Sequence, residues 1–168
     1  FNVRLSVESG GSMIVTETIR LAFGADQFAS VSREWPRQKV DRLTVLSVDM
    51  DGQAFSPGKS AGHYDVKKLD NGRRRVTWHM SPVTSSSHEF TLVYRVDGAV
   101  EQGAEADVLR WIVLPEKHEY PITCSEVEVA YPDSAELVGL PEFEPAAAES
   151  VVNARPLRAS RCGFGKDD

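Results

Sequence analysis

The chain has 168 residues and a mass of 18.5 kDa, which is long enough to bury a substantial core in a single domain. Its formal net charge is −6, from 25 acidic and 19 basic residues, and this argues against a general nucleic-acid or anionic-membrane binder. Because no stretch reaches the roughly 20 apolar residues of a membrane-spanning helix, the composition predicts a soluble globular domain.

Alternation of apolar and polar residues predicts strands along most of the chain. Val3, Leu5 and Val7 form one alternating row, and a Ser/Gly turn separates it from a strand at 13–23, so the chain opens with a predicted hairpin. Further strands are predicted at 43–50, 63–69, 73–80, 90–96 and 127–131. This succession of short strands predicts an all-β fold, an antiparallel β-sandwich of immunoglobulin-like layout.

Two dipeptides mark the sharpest predicted turns. Asp51-Gly52 ends the strand at 43–50, and Asn71-Gly72 lies between the strands at 63–69 and 73–80. Asn-Gly favours a type I′ turn because both central residues need positive φ. The segment 70–72 is therefore the strongest hairpin signal in the sequence.

The pattern changes after Pro132, which sets the predicted domain boundary. Residues 1–132 form the predicted sandwich, and residues 133–168 form a less regular C-terminal segment. This segment is either a last strand or short helix of the same domain, or a juxtamembrane stalk. Pro145 and Arg155-Pro156 would bound a helix at 145–154, whereas a linker or a last edge strand from Ser150 to Leu157 fits the residues equally well.

Glu17 breaks the pattern of its strand. The odd positions from Met13 to Phe23 are apolar except for Glu17, so strand parity directs its carboxylate toward the core. A buried charge without a partner is costly, and Arg33, close to Trp35-Pro36, is the best local cation. We predict a Glu17–Arg33 ion pair that fixes strand register or a turn, although such pairs also mark functional sites.

The two cysteines, Cys124 and Cys162, form no Cys-x-x-Cys pair, which excludes a zinc knuckle or a thioredoxin-like motif. In an oxidising compartment they could join in a disulfide. The alternative is one buried thiol and one free thiol near the tail.

The sequence indicates no catalytic residues, no cofactor and no metal site. The four histidines, at positions 63, 79, 88 and 118, lack the spacing of local metal ligands. Asp49 to Gly52 resembles the start of a calcium loop, but the residues that follow favour a plain turn. The serines at 85–87 lie outside any Gly-x-Ser-x-Gly motif, and pairing Cys124 with His118 has no support beyond their proximity in sequence.

Several segments between residues 2 and 132 occur in a recognisable order: Met13–Ile19, Phe28–Arg33, Trp35-Pro36, Leu43–Gly52, Phe90–Val100, Asp107–Trp111 and Val127–Pro132. Together they resemble the N-terminal domain of the predicted bacterial membrane proteins grouped as domain-of-unknown-function family 2207. The family pattern includes Val-Thr-Glu followed by Arg, matched here by Val15–Glu17 and Arg33. The family offers no catalytic residues to carry over. The sequence departs from the family at Ile112 and Tyr120, where a polar residue and a second tryptophan are usual, and residues 134–168 do not align.

The resemblance implies location more than activity. Proteins of that family typically carry a signal sequence, an extracytoplasmic β domain and then transmembrane helices. The chain starts at Phe1, and we expect it to be the excised extracytoplasmic part of a longer protein, tethered to the cell membrane by segments outside this chain.

We therefore expect a non-catalytic extracytoplasmic recognition or scaffold domain of a membrane-anchored protein, acting through a surface or a sheet edge. Its partner would be a protein or another envelope component, not a nucleic acid. One alternative is a ligand-binding module for cell-envelope glycan or a divalent cation. A third is a hydrolase assembled from dispersed Ser, His and Asp residues.

Overall fold

The computed structural model describes residues 1–35, 39–114, 121–144, 149–151 and 155–164. In this part of the chain the regular structure is all strand apart from one short 3-10 turn at Asp70–Gly72. The strands in chain order are β1 (Asn2–Val7), β2 (Met13–Ala22), β3 (Phe28–Trp35), β4 (Arg42–Met50), β5 (Gln53–Ala54), β6 (Ser56–Pro57), β7 (His63–Lys68), β8 (Arg74–Val83), β9 (Ser87–Asp97), β10 (Val100–Glu101), β11 (Val108–Leu109), β12 (Ile122–Ala130), β13 (Glu149–Val151) and β14 (Leu157–Phe164).

The strands form two main sheets that pack face to face. The larger sheet has the order β13-β14-β12-β1-β2-β9-β4-β5, and the smaller has the order β3-β8-β7-β6. β10 and β11 pair with each other in a separate two-stranded sheet. The predicted all-β fold is confirmed, whereas the immunoglobulin-like layout stays a prediction.

Alternation along the strands builds the core between the sheets. On β9, Phe90, Leu92, Tyr94 and Val96 are fully buried while the residues between them are half-buried. Aromatic rings close the gap between the sheets: Trp78 of β8 packs edge-on against Phe90, with ring centroids 5.7 Å apart. Trp35 of β3 packs in the same way against Tyr94, at 5.1 Å. Such edge-to-face pairs add about 0.5–1.5 kcal/mol beyond the area that they bury.

Most of the described strand pairs are antiparallel, and two are parallel. β1 runs parallel to β12, with Val3 opposite Val127, and β6 runs parallel to β7. More than a hundred residues lie between β1 and β12, as the long connections of parallel strands usually require, whereas only residues 58–62 separate the short strand β6 from β7. Apolar alternation shows which face of a strand is buried, but it carries no information on the direction of the neighbouring strand.

The type I′ turn lies at Asp51-Gly52 and not at Asn71-Gly72. Asp51 and Gly52 both have positive φ, at 53° and 77°, and they join β4 to β5 in a two-residue type I′ hairpin. The predicted type I′ turn at Asn71-Gly72 is wrong, because the loop between β7 and β8 has three residues, 70–72. It is closed by the bond from Leu69 N–H to Arg73 O, and Gly72 takes the left-handed position.

The C-terminal segment contributes two strands to the larger sheet. β14 pairs antiparallel with β12, and it buries Leu157, Ala159 and Phe164. β13 lies outside β14 at the sheet edge. Residues 149–151 are thus extended where a helix at 145–154 was one alternative. The rest of that helix, at 145–148 and 152–154, lies outside the described residues.

Candidate functional site

The clearest candidate site is the outer edge of β3. Within the described residues, β3 pairs with β8 alone and leaves its other side open over an eight-residue strand. The other edge strands, β5, β6 and β13, are only two or three residues long. Among the described residues, β5 and β6 pair with two residues each, so 42–48 of β4 and 65–68 of β7 also have no strand on their outer side. A long open edge presents unpaired N–H and C=O groups and is a ready template for another strand.

One hairpin bond fixes which backbone groups lie on this open side. In antiparallel pairing, successive residues bond alternately to one neighbouring strand and to the other. The bond from Leu69 N–H to Arg73 O, 2.8 Å long, shows that the backbone of Arg73 faces β7. By the same alternation, the backbone N–H and C=O groups of Arg75 and Thr77 face β7. Those of the even-numbered residues of β8 therefore bond to β3.

The register between β3 and β8 then identifies the free groups. The β3 residues opposite the β3-facing positions of β8 are Val31, Arg33 and Trp35. Their N–H and C=O groups are used within the sheet, whereas those of Ser30, Ser32 and Glu34 point away from it. The Glu34 carbonyl accepts a hydrogen bond from the Arg33 guanidinium, so the open stretch is centred on Ser32.

The side chains on the outer face of this edge are polar. Ser30 and Ser32 are exposed, and the Ser32 hydroxyl lies 3.0 Å from Thr77 Oγ1 on the neighbouring strand. Glu34 accepts hydrogen bonds from Arg75 Nε at 2.7 Å and from Arg73 Nη1 at 3.3 Å.

A buried polar network anchors β3 from the inside. Glu17 and Arg33 are 1% and 5% exposed, and Arg33 Nε donates to Glu17 Oε2 at 2.7 Å while Nη2 donates to Oε1 at 3.2 Å. Tyr94 donates its hydroxyl to Glu17 Oε1 at 2.7 Å, and Arg33 Nη2 also donates to the Val113 carbonyl at 3.0 Å. The network joins β2, β9 and the segment before residue 115 to β3, so the edge strand is held rigidly.

Burial dominates the electrostatics of this network. Desolvation and the adjacent Glu17 carboxylate raise the pKa of the Tyr94 phenol well above its ordinary value of 10.0. Tyr94 therefore remains a hydrogen-bond donor to Glu17 throughout the neutral range.

Strand parity led to Glu17 and Arg33, and the structure brings the two side chains together. Sequence reasoning missed Tyr94 as the third member. The available signal was its place on the inward row of β9, but assigning it to Glu17 requires the pairing of β2 with β9, in which Glu17 lies opposite Leu92 and Val15 opposite Tyr94. That pairing joins segments far apart in sequence.

The two cysteines are joined in a disulfide between β12 and β14, where they lie directly opposite each other. Both residues are exposed, and 38 positions separate them in sequence. In the loop-entropy model a cross-link over such a length stabilises the fold by about 4 kcal/mol. It ties the last strand to β12, its inner neighbour in the larger sheet.

The described histidines have local partners. His63 Nδ1 lies 3.1 Å from Ser60 Oγ, and His79 Nε2 lies 2.6 Å from Asp65 Oδ1. His88 contacts an aspartate and a serine, whereas His118 lies outside the described residues. Across the residues that the structure describes, no three His, Cys, Asp or Glu side chains gather as metal ligands would.

One end of the sandwich carries a shallow cleft, lined by Trp35, Val40, Asp41, Arg42, Leu43, Gly72, Arg74 and Trp111. Trp35 is buried at the end of β3, whereas Trp111 is half-buried and lies over Tyr94, with ring centroids 6.4 Å apart. The cleft combines an aromatic ring with charges of both signs.

The model of the family described as "Predicted membrane protein (DUF2207) N-terminal domain" matches residues 1–160. The chain belongs to this family. The match extends beyond residue 132 and includes β13 and the first part of β14, so the family domain contains strands that the sequence segments did not reveal. In the described part of the chain, no helix has the length and apolar character needed to cross a membrane.

Solved structures add information on the fold of this family member. A crystal structure from Parabacteroides distasonis, of a protein described as a "putative protease", superposes with a TM-score of 0.53 at 9% sequence identity. The match covers 99% of this chain and 35% of that protein, so the chain spans about a third of its length. At this identity the likeness shows the fold alone. No curated protein matches the chain.

Proposed function

We propose that this domain is an extracytoplasmic recognition domain of a membrane-anchored protein, and that it binds an extended segment of a partner protein along β3. The open eight-residue edge carries the proposal. Strand addition uses main-chain hydrogen bonds for affinity and alternate side chains for specificity. The N–H and C=O groups of Ser30 and Ser32 would supply four such bonds.

The anchoring of β3 favours this role. A binding edge works best when it is rigid before the partner arrives, because less conformational entropy is then lost on association. Alternate residues of β3 are held on the core side of the strand. Arg33 is paired with Glu17, and Trp35 packs on Tyr94. The residues between them remain free to receive a partner.

The disulfide supports the extracytoplasmic side. Disulfides persist in oxidising compartments and are rare in the reducing cytoplasm. Cys124 and Cys162 are both exposed, so the surrounding protein would not shield their bond from cytoplasmic reductants. Membership of a family of predicted membrane proteins agrees with a domain held close to a membrane.

Selection of displayed peptides tests the proposal while the partner is still unidentified. Peptides selected on the purified domain should lose at least about tenfold in affinity for Ser32→Pro, which removes an outward N–H that the sheet does not use. Ser32→Ala is the matched control, because it also loses the hydroxyl contact with Thr77 but keeps the N–H. Peptides that bind both variants equally would contradict strand addition at β3.

The cleft beside Trp111 favours a second candidate function, the binding of envelope glycan. An aromatic ring next to Asp41 and Arg74 resembles the mixed apolar and polar lining of small-ligand sites. Calorimetric titration with soluble glycan fragments should show heat that Trp111→Ala abolishes. Absence of heat with the unaltered domain would remove this candidate.

A further inference from the structure

A relay of serine, histidine and aspartate lies where β9 begins. Asp51 Oδ2 is 2.6 Å from His88 Nδ1, and His88 Nε2 is 3.0 Å from Ser86 Oγ. The aspartate contacts one ring nitrogen and the serine contacts the other. This is the order of atoms that hydrolases with a serine nucleophile use.

The backbone fixes all three residues. Asp51 lies in the type I′ turn, where its N–H donates to the Glu89 carbonyl and its Oδ1 accepts from the Glu89 N–H, both at 2.8 Å. The Ser86 carbonyl accepts from Phe23 N–H at 2.8 Å. Ser86 and His88 are two residues apart at the start of a strand, a spacing that places side chains on the same face.

The hydrogen bonds also indicate which atoms of the relay carry a hydrogen. The Glu89 N–H and His88 lower the pKa of the Asp51 carboxyl, which therefore accepts hydrogen bonds as a carboxylate. In the neutral form of His88, the imidazole carries its hydrogen on Nδ1 toward Asp51, which leaves the Nε2 lone pair facing Ser86. The Ser86 hydroxyl donates to Nε2, as proton removal from a nucleophile requires.

We propose that Ser86 is a nucleophile toward carboxylic esters, with His88 as its general base and Asp51 as a positioning residue. Ser86 Oγ forms a bond to the acyl carbon while His88 Nε2 takes the hydroxyl proton. The bond from that carbon to the alcohol oxygen breaks, and the departing oxygen receives the proton from Nε2. Water then attacks the acyl-serine, with its proton passing through Nε2, and releases the acid and free Ser86.

The setting suits a substrate that approaches from solvent. Asp51 is 49% exposed and His88 is 19% exposed, so the relay lies at an open surface at the end of the sandwich. Ser85, directly before the nucleophile, has a φ of 44°, a left-handed conformation that is uncommon outside glycine. Such conformations cluster at functional sites.

One alternative from the sequence was a hydrolase with dispersed Ser, His and Asp residues. The relay supplies specific residues for it. Asp51 comes from the turn between β4 and β5, and the other two residues come from the chain around the start of β9, so no local motif marks the site. It is independent of strand binding at β3, and either proposal can fail without the other.

A fluorophosphonate probe tests the nucleophile on the whole 168-residue chain. The Ser86 oxygen should displace fluoride from phosphorus, and mass spectrometry should locate the adduct on Ser86. His88→Ala should lower the labelling rate constant about 100-fold and Asp51→Asn at least about tenfold, because the base is lost or misoriented. Ser87→Ala is the matched control and should label at the unaltered rate.

p-Nitrophenyl acetate tests the ester assignment, with nitrophenolate release expected from the unaltered chain and lost in Ser86→Ala. A purely structural Asp51 would leave the labelling rate unchanged in Asp51→Asn at an equal urea midpoint, which would overturn its positioning role. Absent labelling, or labelling spread over several serines, would overturn the nucleophile. Labelling of Ser86 without release of nitrophenolate would overturn the ester assignment.

Discussion

At the scale of single residues, the buried Glu17–Arg33 pair carries the largest expected cost on mutation. Arg33→Met removes the cation and leaves a carboxylate buried with Tyr94 as its remaining donor, so we expect a loss of about 3–5 kcal/mol in the free energy of unfolding. Urea denaturation followed by tryptophan fluorescence measures this loss.

Two further variants serve as comparisons for the stability loss of Arg33→Met. Arg42→Met is the matched control, because Arg42 pairs with Asp97 at an exposed site where an ion pair contributes about 0–1 kcal/mol. The double variant Glu17→Met/Arg33→Met should lose less than Arg33→Met alone, since no unpaired charge is then buried. A cost below about 1 kcal/mol for Arg33→Met would show that the pair does not anchor β3.

Tyr94 predicts an alkaline loss of stability. Its pKa is raised in the folded state by burial and by Glu17, so its contribution is fully present below pH 10 and is lost as the pH rises through the folded-state pKa. Because the unfolded chain releases this proton near pH 10, unfolding becomes easier above that value. Absorbance of phenolate should show Tyr94 ionising together with unfolding. Tyr94→Phe should remove this part of the pH dependence, and early, reversible ionisation of Tyr94 would contradict its burial.

At the scale of elements, hydrogen exchange on β3 checks the alternation derived from the β7–β8 hairpin bond. The amide hydrogens of Val31, Arg33 and Trp35 should exchange slowly because they are bonded to β8. The amide of Ser32 should exchange fast. Exchange rates measured by nuclear magnetic resonance distinguish the residues individually. Slow exchange at Ser32 together with fast exchange at Arg33 would reverse the assignment of the open edge.

A comparison of the predicted with the observed strands shows how far the sequence predicts this fold. Period-two alternation located most of the long strands and the inward carboxylate of Glu17, because burial of one face leaves a local trace. Pairing across long distances leaves none, so the parallel match of β1 with β12 and the contact of Tyr94 with Glu17 were not predictable. The Asp51–His88–Ser86 relay was also beyond reach, since it depends on how the turn after β4 meets the start of β9.

At the scale of the whole molecule, we expect the domain to lie outside the cytoplasm. Protease added to intact cells that express the full-length protein should remove the signal of an antibody against this domain, while a cytoplasmic marker stays intact. The reason is the exposed disulfide, since such bonds persist in oxidising compartments and are rare in the reducing cytoplasm. Protection of the domain until the cells are lysed would place it on the cytoplasmic side.

The most direct test of strand binding at β3 is photo-crosslinking in intact cells. The full-length protein would carry benzoylphenylalanine in place of either Ser32 or Lys67. Lys67 is exposed on β7, which lies two strands, or about 10 Å, from β3. A partner strand beside β3 would lie within about 5 Å of position 32, so we predict a discrete adduct from Ser32 and little from Lys67. Equal adducts from both positions, or none from Ser32, would contradict strand binding at this edge.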